Sequence, residues 1–77
     1  MSLLTLNVVA KQLRRFEIVA GIVYPSAREV AEMWLEHFKE YSSEKFLMVS
    51  KTVETHIKWK ILPTPGFFLD IEEGPKQ

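Results

Sequence analysis

The sequence predicts an α+β fold in which one amphipathic helix packs on an antiparallel sheet of three to five strands. Two observations lead to this prediction. Residues 27–41 repeat apolar side chains at spacings of three and four, as one face of a helix does. Residues 53–61 alternate between apolar or small side chains and charged or polar ones, as a half-buried strand does. With 77 residues, of which 47% are hydrophobic, the chain is predicted to form one domain over residues 1–77.

Residues 1–24 allow two interpretations. Apolar residues alternate within 4–8 and within 16–24, which favours two strands and gives the order strand–strand–helix–strand–strand–strand. In the alternative, a helix over residues 5–15 replaces the first strand and is capped by the Thr5 side chain. The apolar stripe of that helix would consist of Leu6, Val9, Leu13 and Phe16. We favour the two strands and keep the helix as the alternative.

The helix over residues 27–41 is predicted to begin at a capping box. In this motif the Ser26 hydroxyl caps the backbone amide of Glu29, and the Glu29 carboxylate reaches back to Ser26. Pro25 fits the entry to a helix. The apolar stripe consists of Ala27, Val30, Ala31, Trp34, Phe38 and Tyr41. One helix cannot bury such a stripe by itself, so we expect the stripe to lie on the sheet.

Three strands are predicted after the helix. Residues 46–49 form the first, and residues 53–61 form the second, with Trp59 facing the core and the neighbouring lysines facing solvent. A turn over residues 63–66 reverses the chain, because proline presets φ and glycine supplies the positive φ of a type II turn. Residues 67–71 then return as the last strand.

Composition excludes several classes of protein. The chain has no cysteine, which excludes disulfides and thiolate metal sites and fits a cytoplasmic location. The formal net charge is zero, so the chain has no strong field to steer a charged partner over long range. No apolar stretch approaches the roughly 20 residues that a membrane span needs. We therefore expect no membrane partner.

The sequence contains no recognisable catalytic set. His37 and His56 are the two histidines, which are too few for a stable metal site, and the three glycines lie too far apart for a phosphate-binding loop. We therefore expect no catalytic, cofactor-binding or metal-ligating residues, and we interpret the chain as a protein that is not an enzyme.

An interaction role explains the abundance of apolar side chains. Phe67 and Phe68 are adjacent, so on a strand one of them must point away from the core. A small sheet also has edges that must be paired or covered. We therefore expect a small non-catalytic protein–protein interaction module, which binds itself as a homodimer or binds another protein. The predicted contact residues are Phe67, Phe68 and Leu69.

Nucleic-acid binding by a basic sheet face is the alternative function. Phosphate contacts need a cluster of positive side chains, and residues 45–62 carry four basic residues against one acidic residue. The predicted nucleic-acid contacts are Lys11, Arg14, Arg15, His56, Lys58 and Lys60. The sequence pI of about 6.7 favours the interaction role, because nucleic-acid-binding domains are typically basic overall.

Overall fold

The computed structural model describes residues 3–74, and these residues form four α-helices and the segments that connect them. In chain order the helices are α1 (Leu6–Ala20), α2 (Ala27–His37), α3 (Ser43–Glu54) and α4 (Pro65–Glu73). No strand occurs within residues 3–74, where one isolated antiparallel bridge joins Leu3 to Ser42. The fold is all-α, and the predicted α+β class with its antiparallel sheet is wrong.

Each segment that was predicted to be a strand forms helix or turn instead. Residues 16–20 belong to α1, residues 46–49 lie inside α3, and residues 67–71 lie inside α4. Residues 53–54 complete the last turn of α3, and residues 55–61 continue as turns and irregular backbone. A short apolar run fits the period of a strand and that of a helix equally well, so the residues that flank it decide the outcome.

The helical alternative for the N-terminal region is confirmed. Thr5 is the N-cap of α1, and its side-chain oxygen accepts a hydrogen bond from the backbone N–H of Val8 at 3.3 Å. Val9, Leu13 and Phe16 of the proposed stripe are buried. The helix continues five residues beyond the expected end, to Ala20.

Caps also start the last two helices. The Ser42 hydroxyl accepts the N–H of Lys45 at 3.0 Å, and the Thr64 hydroxyl accepts the N–H of Phe67 at 3.2 Å. Pro65 occupies the first turn of α4, where its missing N–H breaks no helical hydrogen bond. The residues that were predicted to form a type II turn therefore start a helix.

The structure confirms the predicted apolar stripe except at Ala27, which is exposed, and it does not confirm the boundaries that were predicted for α2. Ser26 has φ 52° and ψ 58° and makes no side-chain cap, so the predicted capping box with Glu29 does not form. The helix ends at His37, not at residue 41. Phe38 donates its N–H to the carbonyl oxygens of both Trp34 and Leu35, which tightens the last turn.

Trp34 lies at the centre of the hydrophobic core. Its side chain is fully buried, and its ring centroid lies 5.7–6.5 Å from four phenylalanine rings. These rings belong to Phe16 of α1, Phe38 after α2, Phe46 of α3 and Phe68 of α4. One aromatic cluster therefore connects all four helices, and such ring pairs contribute about 0.5–1.5 kcal/mol each beyond the burial of their area.

Two carboxylates join helices through polar contacts. Glu54 at the end of α3 accepts hydrogen bonds from Gln12 at 2.6 Å and from Arg15 at 2.9 Å, both on α1. The guanidinium of Arg15 is the main reason that the pKa of Glu54 is lowered. In α4, Glu72 accepts a hydrogen bond from the Tyr41 hydroxyl and forms an ion pair with Lys45 at 3.1 Å.

The contacts of Glu72 predict how stability depends on pH. The Tyr41 hydroxyl, followed by Lys45, lowers the pKa of Glu72 below its ordinary value of 4.5, although burial opposes them. A carboxyl whose pKa is lower in the folded chain than in the unfolded chain stabilises the fold at pH values above its unfolded-state pKa. This stabilisation is lost as the pH falls through its folded-state pKa. Burial, followed by the bond to Glu72, raises the pKa of Tyr41 to about 12, so stability should fall again above about pH 10.

Urea unfolding from pH 7 down to pH 2 would measure the acid limb of this dependence. We expect Glu72→Gln to be less stable at pH 7 and to lose less stability on acidification. Glu36→Gln is the control, because that carboxylate is exposed and pairs only weakly with Lys39. An acid limb of equal steepness in Glu72→Gln and in the unaltered chain would contradict the assignment.

Candidate interaction surface

Trp59 lies on the surface of the protein, contrary to the prediction that it faces the core. Its side chain is 68% exposed, and it belongs to the turns that follow α3. The next residue, Lys60, has φ 65° and donates its backbone N–H to the carbonyl oxygen of Ala20 at 2.6 Å. This hydrogen bond holds the turn that carries Trp59 against the C-terminal end of α1.

Gly21 is the residue on which the Trp59 indole lies. It ends α1 with φ 74°, a left-handed conformation that glycine adopts without strain, and its N–H bonds to the carbonyl oxygen of Glu17 at 2.8 Å. A Cβ atom at Gly21 would overlap the six-membered ring of Trp59. The absence of a side chain at Gly21 therefore allows the indole to approach the helix end this closely.

Gly21→Ala should destabilise the fold, because it adds both left-handed strain of about 1–2 kcal/mol and an overlap with Trp59. Gly66→Ala is the matched control. Gly66 lies in the first turn of α4, where a Cβ would meet its nearest atom at an ordinary 3.8 Å. We expect this control to be neutral or more stable, by up to about 1 kcal/mol. Thermal unfolding of both variants measures the difference, and equal melting temperatures would contradict the packing of Trp59 on Gly21.

Four apolar side chains are exposed around this contact. Ile18, Ile22 and Val23 line one shallow depression together with Gly21, and Trp59 lies on Gly21 beside them. Ile18 and Val23 are 69% and 68% exposed, close to the value for Trp59, and Ile22 is 42% exposed. We call the four side chains Ile18, Ile22, Val23 and Trp59 the apolar end. Exposed apolar clusters of this kind often mark a binding surface.

The predicted protein-contact residues do not form a surface together. Phe68 is fully buried in the aromatic core, so it is not the member of the pair that points away from the core. Phe67 is partly buried and lines a separate depression with Ile61 and Leu62, whereas Leu69 is 38% exposed. On a helix, unlike on a strand, adjacent residues lie about 100° apart, so Phe67 and Phe68 need not point to opposite sides.

All of the predicted nucleic-acid contacts are exposed. They do not share the predicted basic sheet face, since no strand occurs within residues 3–74. Lys11, Arg14 and Arg15 are on α1, and the other three, His56, Lys58 and Lys60, follow α3. The hydrogen bond between Lys60 and Ala20 places Lys58 and Lys60 at the end of α1, where they flank Trp59 along the chain. Arg15 is already paired with Glu54.

The described part of the chain contains no cluster of metal ligands and no helix that could span a membrane. Within residues 3–74, no three His, Asp or Glu side chains are grouped so that they could hold a metal ion. The longest helix there, α1, has 15 residues, and none of the four is long and apolar enough to cross a membrane.

The apolar end was missed because its residues were assigned to a strand. If the alternative helix is extended to Gly21, a typical C-terminal glycine, Ile18 falls outside the stripe of Val9, Leu13 and Phe16. An apolar residue off the stripe is the signal that could have identified this surface.

Comparison with protein-family models, curated proteins and solved structures gives no match for this chain.

Proposed function

We propose that this chain is a small non-catalytic protein–protein interaction module that associates with a second copy of itself through the apolar end. The exposed cluster of Ile18, Ile22, Val23 and Trp59 is the observation that supports this proposal. A chain of 77 residues buries only about 60–65% of its unfolded surface, so it gains much from covering a further apolar area. A cytoplasmic location is part of the proposal, since a chain without cysteine needs no oxidising compartment.

Burial of apolar area outweighs charge repulsion at this surface. Full burial of an isoleucine or valine contributes about 1.5–3 kcal/mol, and a tryptophan that buries about 150–250 Å² contributes about 4–6 kcal/mol. Lys58 and Lys60 would approach their counterparts in a symmetric dimer, but exposed charge pairs are typically worth about 1 kcal/mol or less. Salt screens that repulsion, so we expect self-association to strengthen, or to stay unchanged, as ionic strength rises.

Sedimentation equilibrium at micromolar to millimolar concentrations tests this proposal. We expect the unaltered chain to approach the mass of a dimer and Ile18→Lys to dissociate at least about 10-fold more readily, because each copy loses an apolar contact and buries a charge. Met48→Lys is the matched control, since Met48 is 65% exposed but lies on α3. A monomer at every concentration, or equal weakening by both substitutions, would refute the proposal.

Binding of single-stranded nucleic acid is the second candidate function, and the exposure of Trp59 between Lys58 and Lys60 is the observation that favours it. An exposed indole can stack on a base while the neighbouring ammonium groups contact phosphates. Titration of mixed-sequence single-stranded DNA at low salt should then quench Trp59 fluorescence, and binding should weaken steeply with salt. The opposite salt dependence of self-association separates the two functions, and the absence of quenching at low salt would exclude this one.

A further inference from the structure

A groove between α1 and α2 offers a second surface, which contains none of the four side chains of the apolar end. It follows α1 from Leu6 to Glu17, a stretch of 12 residues whose ends lie about 16 Å apart along the helix axis, and it encloses about 610 Å³. Leu13 and Ala31 are buried at its floor, whereas Ala10 and Ala27 are exposed on its two sides. The three alanines leave space that longer side chains would fill.

The shape of the groove suits a helix better than a small molecule. Small-molecule sites usually bury 70–90% of their ligand, which an open groove with exposed sides does not achieve. An amphipathic helix needs burial on one face only, and about 16 Å corresponds to three helical turns. Small residues such as Ala10 and Ala27 allow the backbone of such a helix to approach closely.

The charges at the groove favour an acidic occupant. Arg14, on the α1 side, has no hydrogen-bond or ion-pair partner within residues 3–74. Arg28, on the α2 side, pairs with Glu32 at 3.3 Å, an exposed i,i+4 pair that is worth only about 0.3–0.5 kcal/mol and is easily exchanged. Glu17, the carboxylate that lines the groove, already accepts the backbone N–H of Tyr24 at 2.9 Å. Two guanidinium groups are therefore available for carboxylates of a partner.

One wall of the groove is held in position before any partner binds. The Tyr24 backbone is fixed by Glu17, and its hydroxyl donates a hydrogen bond to the carbonyl oxygen of Pro63 at 2.7 Å. A wall that is already ordered loses little conformational entropy on binding.

We propose that this groove binds an acidic amphipathic helix of a partner protein. The occupant presents apolar side chains at spacings of three and four to Leu13 and Ala31, and carboxylates to Arg14 and Arg28. The groove contains none of the four side chains of the apolar end, although Arg14 and Glu17 line both this groove and the depression of the apolar end. The proposal therefore does not require the self-association proposed above.

A library of helical peptides about four turns long, displayed on phage, tests the proposal. Peptides are selected on the unaltered chain and counter-selected on Ala10→Trp and on Ala27→Trp, which both fill the groove at exposed positions. We expect the selected peptides to carry an apolar stripe and to be enriched in Asp and Glu. Arg14→Glu should weaken their binding at least 10-fold, whereas Lys11→Glu, an exposed basic position on α1 outside the groove, should change it little.

Three outcomes would overturn this proposal. In the first, every selected peptide also binds the Trp variants and is lost in counter-selection. In the second, the surviving peptides are not enriched in Asp and Glu. In the third, Lys11→Glu and Arg14→Glu weaken peptide binding equally. Trp59→Ala is included so that failure of the groove proposal can be distinguished from failure of the proposed self-association through the apolar end. This substitution should weaken self-association and leave peptide binding unchanged.

Discussion

Trp34→Ala is expected to remove a large part of the stability of the chain. Removal of a buried tryptophan costs about 3–5 kcal/mol, and a domain of this length has a total stability of only about 4–12 kcal/mol. The loss should be near the upper end, because Trp34 is the side chain through which rings of all four helices meet. Far-UV circular dichroism and urea unfolding measure the effect.

Trp59→Ala is the matched control for this experiment, since it removes the same side chain from the surface. We expect a loss of about 1 kcal/mol or less, because the indole is 68% exposed. If Trp59→Ala proved the more damaging of the two substitutions, the arrangement of the core would be wrong.

Phe68→Ser is the substitution with the second largest expected effect. The Phe68 ring is fully buried, with its centroid 4.7 Å from that of Phe38 and 5.1 Å from that of Phe46. Serine would leave a cavity and a buried hydroxyl, at a cost of about 3–5 kcal/mol or more. We expect the urea midpoint of the variant to fall sharply, and urea unfolding at 25 °C measures this change.

Leu69→Ser is the control for Phe68→Ser, because the neighbouring side chain is 38% exposed. This variant should remain folded and lose roughly 1 kcal/mol or less. A strand over residues 67–71 with Phe68 pointing away from the core predicts instead that Phe68→Ser leaves a folded monomer. That result would contradict the burial of Phe68 in the core.

The amphipathic stripe of α2 was the part of the fold that the sequence predicted best. Of its six residues, Ala31, Trp34 and Phe38 are buried, and Val30 and Tyr41 are partly buried. Spacings of three and four over more than three turns cannot be mistaken for a strand. The end of the helix was less predictable, because Phe38 stays in the core although the regular helix stops at His37.

The alternation at residues 53–61 was misleading because it crosses the end of a helix. Val53 is buried as the last member of the α3 stripe, which begins with Phe46 and continues with Ser50 at spacings of four and three. The alternating residues beyond Glu54 lie in turns and irregular backbone, where period two has no structural meaning. The caps at Ser42 and Thr64 carried better information, since each satisfies a free amide of a helix start.

The surface was predictable only in part. The basic residues at Arg14, Lys58 and Lys60 are exposed as expected, because charged side chains are rarely buried without a partner. The apolar end was not predictable from a strand assignment that placed Ile18 and Ile22 inside. The groove between α1 and α2 depends on how closely two helices approach, which composition and periodicity do not determine.

Acrylamide quenching of two single-tryptophan variants tests the arrangement of this fold most directly. Trp34→Phe leaves Trp59 as the emitter, and Trp59→Phe leaves Trp34. Trp34 Nε1 is buried without a hydrogen-bond partner in residues 3–74, so phenylalanine should replace this indole without breaking a polar contact. At concentrations below self-association, we predict strong quenching and red-shifted emission from Trp59, and weak quenching and blue-shifted emission from Trp34. Protection of Trp59 together with quenching of Trp34 would contradict the helical fold and the apolar end.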